Sequence, residues 1–253
     1  MRFNKTAPRN IYKYIIAYFV LWILLFEFIL PVNNVLPRPS VVLMSFGALW
    51  SYYKLPYNFL VTISAVYLSI LAAYYLTSSL SAYIVKQNHF ITEFLTSLHW
   101  FTTYVPAIVF GLFFIYWLPG SAYTNYLFAF LIALFSIVIK VKEEAVKVKR
   151  EFIDSAVSLG ADDKTIAKKV IWKSIQPAII NYLIVLQFKI WSVLIVFEFI
   201  KGGYGLGRIY RLALDYKDLS ALFTISVIIG VTVFLGAQLI KYFKNKYYHW
   251  SLD

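Results

Sequence analysis

The sequence has no cysteine and few charged residues. Only 14% of its 253 residues are Asp, Glu, Lys or Arg, whereas soluble domains average about 25%. Without cysteine there is neither a disulfide framework nor a thiolate metal site, and three scattered histidines do not make a metal-binding group. The sequence also lacks a G-x-x-x-x-G-K-[ST] phosphate loop, so the chain is expected neither to hydrolyse ATP nor to be an enzyme by itself.

What the sequence has in quantity is apolar surface, because 61% of the residues are hydrophobic and 20% are aromatic. A single soluble core of this length cannot bury so much, so lipid must be the solvent for most of the chain. A helix needs about 20 apolar residues to cross a bilayer core about 30 Å thick. Six segments meet this requirement and predict an all-α membrane protein with six transmembrane helices: Ile11–Leu30, Leu60–Val85, Ile91–Leu118, Tyr123–Ile139, Ile179–Phe199 and Ala221–Phe243.

These segments define the organisation of the chain. Residues 1–10 form a basic N-terminal tail, residues 11–243 the transmembrane domain, and residues 244–253 a C-terminal tail. With both termini inside, seventeen of the 24 lysines and arginines lie on inner segments and six on outer segments. This predicts a multi-pass plasma (inner) membrane protein with both termini cytoplasmic. Membrane lipid then accounts for the net charge of +12, and no nucleic acid partner is needed.

One inner connection is long, residues 140–178. In its charged first part, helical spacing pairs Lys147 with Glu143 and with Glu151. Two short helices are predicted to follow. They form a compact projection on the inner face, where a soluble partner could reach them.

The two short helices meet at Gly160, which ends the first because glycine readily takes the left-handed conformation. Asp162 or Asp163 caps the second helix, and Pro177 is expected to stop it before the fifth span. The first helix carries a short apolar face that needs a partner in water, formed by Ile153, Ala156, Val157 and Leu159.

This connection resembles a known motif, the EAA…G…I.LP loop of the binding-protein-dependent ABC importer permeases. The residues that agree in kind and spacing are Asp154-Ser155-Ala156, Gly160, Val170 and Pro177. The departures are Asp for Glu at 154, Ser for Ala at 155, and Lys173 where some relatives have proline. Glu144-Ala145 offers a rival register, but no glycine lies at the required distance beyond it.

Two further motifs indicate one branch of these permeases. Residues 36–42, LPRPSVV, resemble the LPSPSxVL motif of the nitrate, sulfonate, taurine and bicarbonate permeases. The same branch has a W…E…GLGxxI block, which is similar to Trp191, Glu198, Gly205-Leu206-Gly207 and Ile209. The resemblance therefore touches most of the chain from residue 36 onward.

The resemblance implies a type I ABC importer permease with a coupling-helix loop. It implies a cytoplasmic ABC ATPase dimer that carries ATP and Mg²⁺, a second permease subunit as a homodimer partner, and an extracytoplasmic substrate-binding protein. This chain itself would bind no cofactor. The residues expected to couple it to the ATPase are Asp154, Ser155, Ala156, Leu159, Gly160, Ala161, Val170 and Pro177.

Ionisable residues inside spans are costly and commonly face a cavity or a partner. Lys189 either attracts an anion near the midplane or extends to the interface or a carboxylate. Glu198 either serves the substrate path or holds backbone N–H groups of the glycine loop, which is residues 201–211, KGGYGLGRIYR. The glycine loop itself is an outer gate, a binding-protein contact or a simple flexible turn. The candidate path and gate residues are Lys189, Trp191, Glu198, Gly205 and Gly207; Glu27, Glu93 and His99 are further ionisable positions.

The function predicted from sequence is thus a permease subunit that forms the path for a small anionic solute and couples it to a separate ATPase. The alternative is a stand-alone channel or secondary transporter. Six spans without a visible internal repeat or paired broken spans disfavour that alternative.

Overall fold

A computed structural model describes residues 11–30, 37–85, 94, 97 and 105–248. Every regular element within these ranges is helical, as the composition predicts. The helices are α1 Ile11–Ile23, continued by a π-helical turn Leu24–Ile29; α2 Pro39–Ser51; α3 Leu55–Ser79; α4 Ser81–Val85; α5 Ala107–Trp117; α6 Tyr123–Ala145; α7 Arg150–Ser158; α8 Asp163–Thr165, continued by a π-helical turn Ile166–Ile171; α9 Trp172–Lys201; α10 Leu206–Asp215; and α11 Leu219–Tyr247.

Four helices in the described part of the chain are long and apolar enough to cross a membrane: Leu55–Ser79, Tyr123–Ala145, Asp163–Lys201 and Leu219–Tyr247. They correspond to the second, fourth, fifth and sixth predicted spans. The first predicted span is α1 with its π-helical turn, which contains a shorter apolar helix. The third is described only at Phe94, at Ser97 and from Val105 onward, where its end forms α5. The total of six spans therefore stays a prediction.

The fourth span is longer than predicted, because α6 continues past Ile139 to Ala145. Lys140 stabilises this extension through ion pairs with Glu143 at 3.0 Å and Glu144 at 2.9 Å, one helical turn away. The predicted pairs of Lys147 with Glu143 and Glu151 are wrong. Since the helix ends at Ala145, Lys147 lies in the following turn and pairs with Glu144 at 2.7 Å instead.

The prediction that Pro177 stops a helix is also wrong. Pro177 is buried inside α9, and the helical run from Asp163 to Lys201 continues through it for 39 residues. A proline removes one backbone N–H, but packed membrane helices tolerate this cost because neighbouring groups and local π-helical adjustments satisfy the freed carbonyl. The π-helical turn Ile166–Ile171 precedes Pro177 in the same run. The second helix of the inner connection is therefore the beginning of the fifth span.

Helix α9 is the centre of the bundle, since it packs against α3, α5, α6, α10 and α11. Its apolar side chains lie in the core, where Phe197 stacks on Phe128 of α6 with 4.4 Å between ring centroids. Gly111 of α5 lies beneath these two rings, at a position where a Cβ atom would come 2.8 Å from Phe197. The small residue allows α5 to approach the stacked pair.

A polar contact in the core joins α3, α9 and α11. The Tyr67 hydroxyl donates to Gln187 Oε1 at 3.0 Å, and Gln187 Nε2 donates to the Val233 carbonyl at 3.3 Å. Gly236 lies beside this contact, and a Cβ atom there would overlap the Tyr67 hydroxyl and come 2.8 Å from Gln187 Oε1. Glycine at this position lets α11 approach the pair closely.

We predict that Gly236→Ala lowers the thermal unfolding temperature of the detergent-purified chain by about 2 to 12 °C, because it breaks the Tyr67–Gln187 hydrogen bond and an unsatisfied polar group such as buried Gln187 costs about 1–3 kcal/mol. Gly230→Ala is the matched control on the same helix, since a Cβ atom there has no neighbour within 4 Å. Equal unfolding temperatures for the two variants would show that the Tyr67–Gln187 contact does not depend on Gly236.

Candidate functional site

The first candidate region is the projection predicted on the inner face, where α7 packs against the π-helical turn Ile166–Ile171. The side chains of Ile153 and Ala156 are partly buried. Val157 and Leu159 instead point into solvent, and Leu159 is 87% exposed. The predicted apolar face is therefore divided: one part packs on the chain itself, and the other is left open.

A glycine turn ends α7 in the predicted manner. Gly160 has a φ of +77°, in the left-handed region. Its N–H donates to the Val157 carbonyl at 2.9 Å, and the N–H of Ala161 donates to the Ala156 carbonyl at 3.0 Å. These two bonds form a Schellman motif, which satisfies carbonyls that the end of a helix would leave unpaired. Asp162 then occupies the N-cap position of α8.

The predicted coupling residues do not all lie together. Asp154 to Ala161 form one compact unit of α7 and its glycine turn, with Asp154 and Ser155 exposed. Val170 is half-buried in the π-helical turn against which α7 packs, so it lies close to this unit. Pro177 is farther along the same helical run and is buried in the bundle.

The second candidate region is the glycine loop at the other end of α9. This helix ends at Gly202, whose φ is +68°, and Gly205 has a φ of +103°. Both values are in the left-handed region, where a residue with a Cβ atom is strained. A Cβ atom on Gly205 would also overlap the carboxyl group of Glu198. The tight turn therefore requires glycine.

Glu198 is fully buried beneath this loop. Its carboxyl oxygens accept hydrogen bonds from Thr62 Oγ1 at 2.9 and 2.8 Å, from Asn125 Nδ2 at 2.9 Å, and from the backbone N–H of Gly207 at 3.1 Å. Lys201 joins the same cluster, because its Nζ donates to Asn125 Oδ1 at 3.1 Å and also to the Ser121 carbonyl. One of the two roles expected of Glu198 from sequence, holding a loop N–H group, is confirmed.

Three N–H groups at the start of α10 donate to side chains. Gly205 N–H donates to Asn58 Oδ1 at 3.0 Å, Leu206 N–H to Thr62 Oγ1 at 2.8 Å, and Gly207 N–H to Glu198. The first N–H groups of a helix have no partner within the helix, so these contacts satisfy donors that would otherwise be orphaned. This geometry favours a fixed turn over the flexible one.

Three residues of this cluster were missed from sequence: Asn58, Thr62 and Asn125. The available signal was their position, since each is a polar residue inside or next to an apolar helix, and Asn58 and Thr62 share one helix face at a spacing of four. All three side chains are fully buried. A buried polar side chain in a membrane segment requires a partner, and here the partners are the loop backbone and Glu198.

The third candidate region is a cavity of about 640 Å³ between α5, α6 and α9. Its walls are mostly apolar and aromatic, with Phe110, Phe114, Phe128 and Phe135 among the lining side chains. Lys189 lines it, so of the five predicted path residues this one faces an open space. The other four are buried: Trp191 lies edge-on against Tyr67, with 6.5 Å between ring centroids, and Glu198, Gly205 and Gly207 form the cluster above.

The remaining ionisable positions have other outcomes. Glu27 accepts a hydrogen bond at 3.3 Å from the backbone N–H of Ser40, in the first turn of α2. It therefore links the π-helical turn after α1 to the start of α2. Glu93 and His99 lie outside the described residues, and so does Leu36 of the LPRPSVV motif.

The turns that precede α3 and α11 are joined by a contact that sequence did not suggest. The Tyr53 hydroxyl, between α2 and α3, donates to Asp218 Oδ2 at 3.0 Å, and Asp218 Oδ1 accepts from Ala221 N–H at the start of α11. Burial and the neighbouring Asp218 carboxylate raise the pKa of Tyr53 to about 12. The phenol therefore remains protonated, and able to donate, throughout the physiological pH range.

Four long apolar helices that pack together define a helical membrane protein. Residues 65–247 match the family model of the binding-protein-dependent transport system inner membrane component. The match covers more than half of the chain, and the chain belongs to this family of ABC transporter permease subunits. Family members are transport subunits and not themselves catalytic. No curated protein matches the chain.

We predict that Gly207→Ala disrupts the glycine loop, because a Cβ atom there would overlap the Ile195 carbonyl oxygen and approach the Phe199 nitrogen. Backbone atoms cannot rotate away as a flexible side chain can, so the start of α10 must move off Glu198. Limited proteolysis of the purified chain should cut between residues 201 and 211 faster than in the unaltered protein. Gly203→Ala is the control, because the nearest atom to a Cβ there is Lys201 Cε at 3.7 Å. Identical cleavage of both variants would contradict the proposed packing.

Proposed function

We propose that this chain is the permease subunit of an ABC importer for a small anion, and that α7 with its glycine turn docks on a partner ATPase. The observation that carries the proposal is the open apolar surface of this unit, formed by Phe152, Val157 and Leu159, which are 42%, 56% and 87% exposed. Apolar side chains grouped in water are typical of a protein interface. Permeases of this family work with an ATPase and a substrate-binding protein.

The connection between this surface and the bundle supports a coupling role. Helix α7 packs on the π-helical turn Ile166–Ile171, which continues without interruption into α9. At about 1.5 Å per residue, the 39 residues from Asp163 to Lys201 span roughly 58 Å. A displacement at α7 would therefore reach the core of the bundle through one continuous helix, and no loose linker would absorb it.

The proposed assembly follows the family and the resemblance of the inner loop. Two copies of this chain would pair, and a cytoplasmic ATPase dimer carrying ATP and Mg²⁺ would bind their inner projections. An extracytoplasmic binding protein would deliver the solute to the outer ends of the spans, where the glycine loop lies. The resemblance of residues 36–42 and of Trp191 to Ile209 to the nitrate, sulfonate, taurine and bicarbonate branch supports an anionic solute.

Leu159→Glu tests the docking surface, because Leu159 is almost fully exposed and its replacement leaves the packing of the chain unchanged. Burying a leucine contributes about 1.5–3 kcal/mol, so we expect the ATPase to bind roughly ten- to a hundredfold more weakly. The measurement is the ATP hydrolysis activity that co-purifies with the tagged, full-length chain from its native membrane in mild detergent.

Tyr216→Glu is the control for this experiment. Tyr216 is also highly exposed, at 71%, but it follows α10, at the opposite end of α9 from α7. This variant should retain the ATPase. The proposal fails if no ATPase co-purifies with the unaltered chain, or if Leu159→Glu retains as much ATPase as Tyr216→Glu.

A further inference from the structure

At the end of the cavity nearest α7, one lysine contacts two of the helices that line it. We propose that Lys140 of α6 and Tyr182 of α9 form a clamp that holds these helices together and controls access to the cavity from this end. The inference rests on the proposed function, because it identifies the contact through which a movement of α7 would open the cavity.

The cavity runs lengthwise along α6. The residues of α6 that line it recur every three or four positions and therefore form one helix face. From Phe128 to Glu143, at about 1.5 Å per residue, this face is about 22 Å long. Since α6 runs towards α7 and α9 runs away from it, Lys140 and Glu143 meet Tyr182, the first cavity residue of α9.

The polar residues of the lining are concentrated at this end. Ser136, Lys140, Glu143 and Tyr182 lie here, whereas the other lining side chains are apolar apart from Lys189. Apolar walls need no particular partner, but a polar group removed from water does. The end near α7 is therefore where the lining makes a specific contact that can be broken.

The Lys140 ammonium group contacts both helices. On α6 it pairs with Glu143 at 3.0 Å and with Glu144 at 2.9 Å. On α9 it lies over the ring of Tyr182, with 5.8 Å between Nζ and the ring centroid. A cation within about 6 Å of an aromatic centroid is attracted by the face of the ring. Because the two carboxylates fix the ammonium group on α6, its contact with the ring holds α9 against α6.

One of these carboxylates also connects the clamp to the segment before α7. Glu144 Oε1 pairs with Lys140 and, at 2.7 Å, with Lys147. Lys147 lies in the turn of residues 146–149, between the end of α6 and the start of α7. The side chain of Lys147 is 64% exposed, and an ion pair with so exposed a partner contributes little stability. The pair can therefore change when the turn moves.

Helix α7 is attached to both sides of the clamp. The turn of residues 146–149 joins it to α6, and α7 also packs on the π-helical turn that continues into α9. A displacement of α7 relative to the bundle therefore acts on α6 and α9 at the end where Lys140 meets Tyr182. Loss of this contact would separate the two helices and widen the entrance of the cavity.

The chain has no cysteine, so a single introduced thiol can report access to the cavity. Ile132→Cys places the thiol on the lining, about 12 Å from Lys140 along α6. The measurement is the rate at which N-ethylmaleimide modifies this thiol in the full chain in phosphatidylcholine nanodiscs. This reagent is uncharged, so its concentration at the thiol does not depend on the charge of Lys140.

We expect Lys140→Met to raise the modification rate about three- to thirtyfold, the range that corresponds to loss of one cation–π contact. Lys140→Arg should retain the slow rate, since it keeps the charge and can lie over the ring. Lys149→Met is the matched control, because it removes a charge from the turn before α7 at an exposed position that does not line the cavity. A second reporter, Ser155→Cys on the exposed surface of α7, should react at the same rate with and without Lys140→Met.

Tyr182→Leu separates the clamp from any local effect of Lys140 on α6. It leaves the ion pairs of Lys140 in place and removes the ring, so the rate should rise as in Lys140→Met. The double variant should react no faster than the faster single variant, because both substitutions break one contact. The proposal is overturned if either single variant modifies Ile132→Cys at the unaltered rate, or if the two effects multiply.

Glu144→Gln tests the connection to α7. It releases Lys140 and Lys147 from their shared oxygen, so it should also raise the rate at Ile132→Cys; an unchanged rate would overturn the link between the clamp and α7.

The modification experiment needs no ATPase, so its failure is distinct from failure of the docking proposal. If Leu159→Glu retains the ATPase, the docking proposal fails whatever the modification rates are. If ATPase binding depends on Leu159 while the rates stay unchanged, the clamp alone is rejected.

Discussion

A carboxyl group buried in a membrane protein needs hydrogen-bond donors, and the end of this bundle that carries the glycine loop is organised around the donors of Glu198. Thr62, Asn125 and the N–H of Gly207 bind its oxygens, and each belongs to a different helix. An unsatisfied buried polar group costs about 1–3 kcal/mol. This single residue therefore holds α3, α6, α9 and α10 in one arrangement.

The need to satisfy the Glu198 carboxyl group also explains the glycines of the glycine loop. Gly207 must lie against the backbone of α9 for its N–H to reach Glu198, and Gly205 must take a left-handed conformation directly above the carboxyl group. Thr62 has two functions here, because its hydroxyl donates to Glu198 and accepts from the N–H of Leu206. The N–H groups at the start of α10 and the Glu198 carboxyl group thus satisfy each other's hydrogen-bonding capacity, as buried polar groups in a membrane protein must.

The helical run from Asp163 to Lys201 relates this cluster to the other two regions. Its first residues support α7, its middle places Lys189 in the cavity, and its last turn carries Glu198. Pro177 lies within it and does not divide it. In an importer, one helix would then link the docking surface, the cavity and the glycine loop.

The sequence by itself determined the helical class, the membrane environment, and the short helix that ends in a left-handed turn at Gly160. These features depend on local composition and spacing, because a helix in lipid satisfies its backbone within itself and glycine alone adopts the left-handed turn at little cost. Only the tertiary structure decided that α9 continues through Pro177, that Thr62 and Asn125 meet Glu198 while Asn58 binds the N–H of Gly205, and that Lys189 opens into a cavity whereas Trp191 does not. Those outcomes depend on which helix faces pack together, and residues 73 to 147 positions apart in the chain must meet before their hydrogen bonds exist.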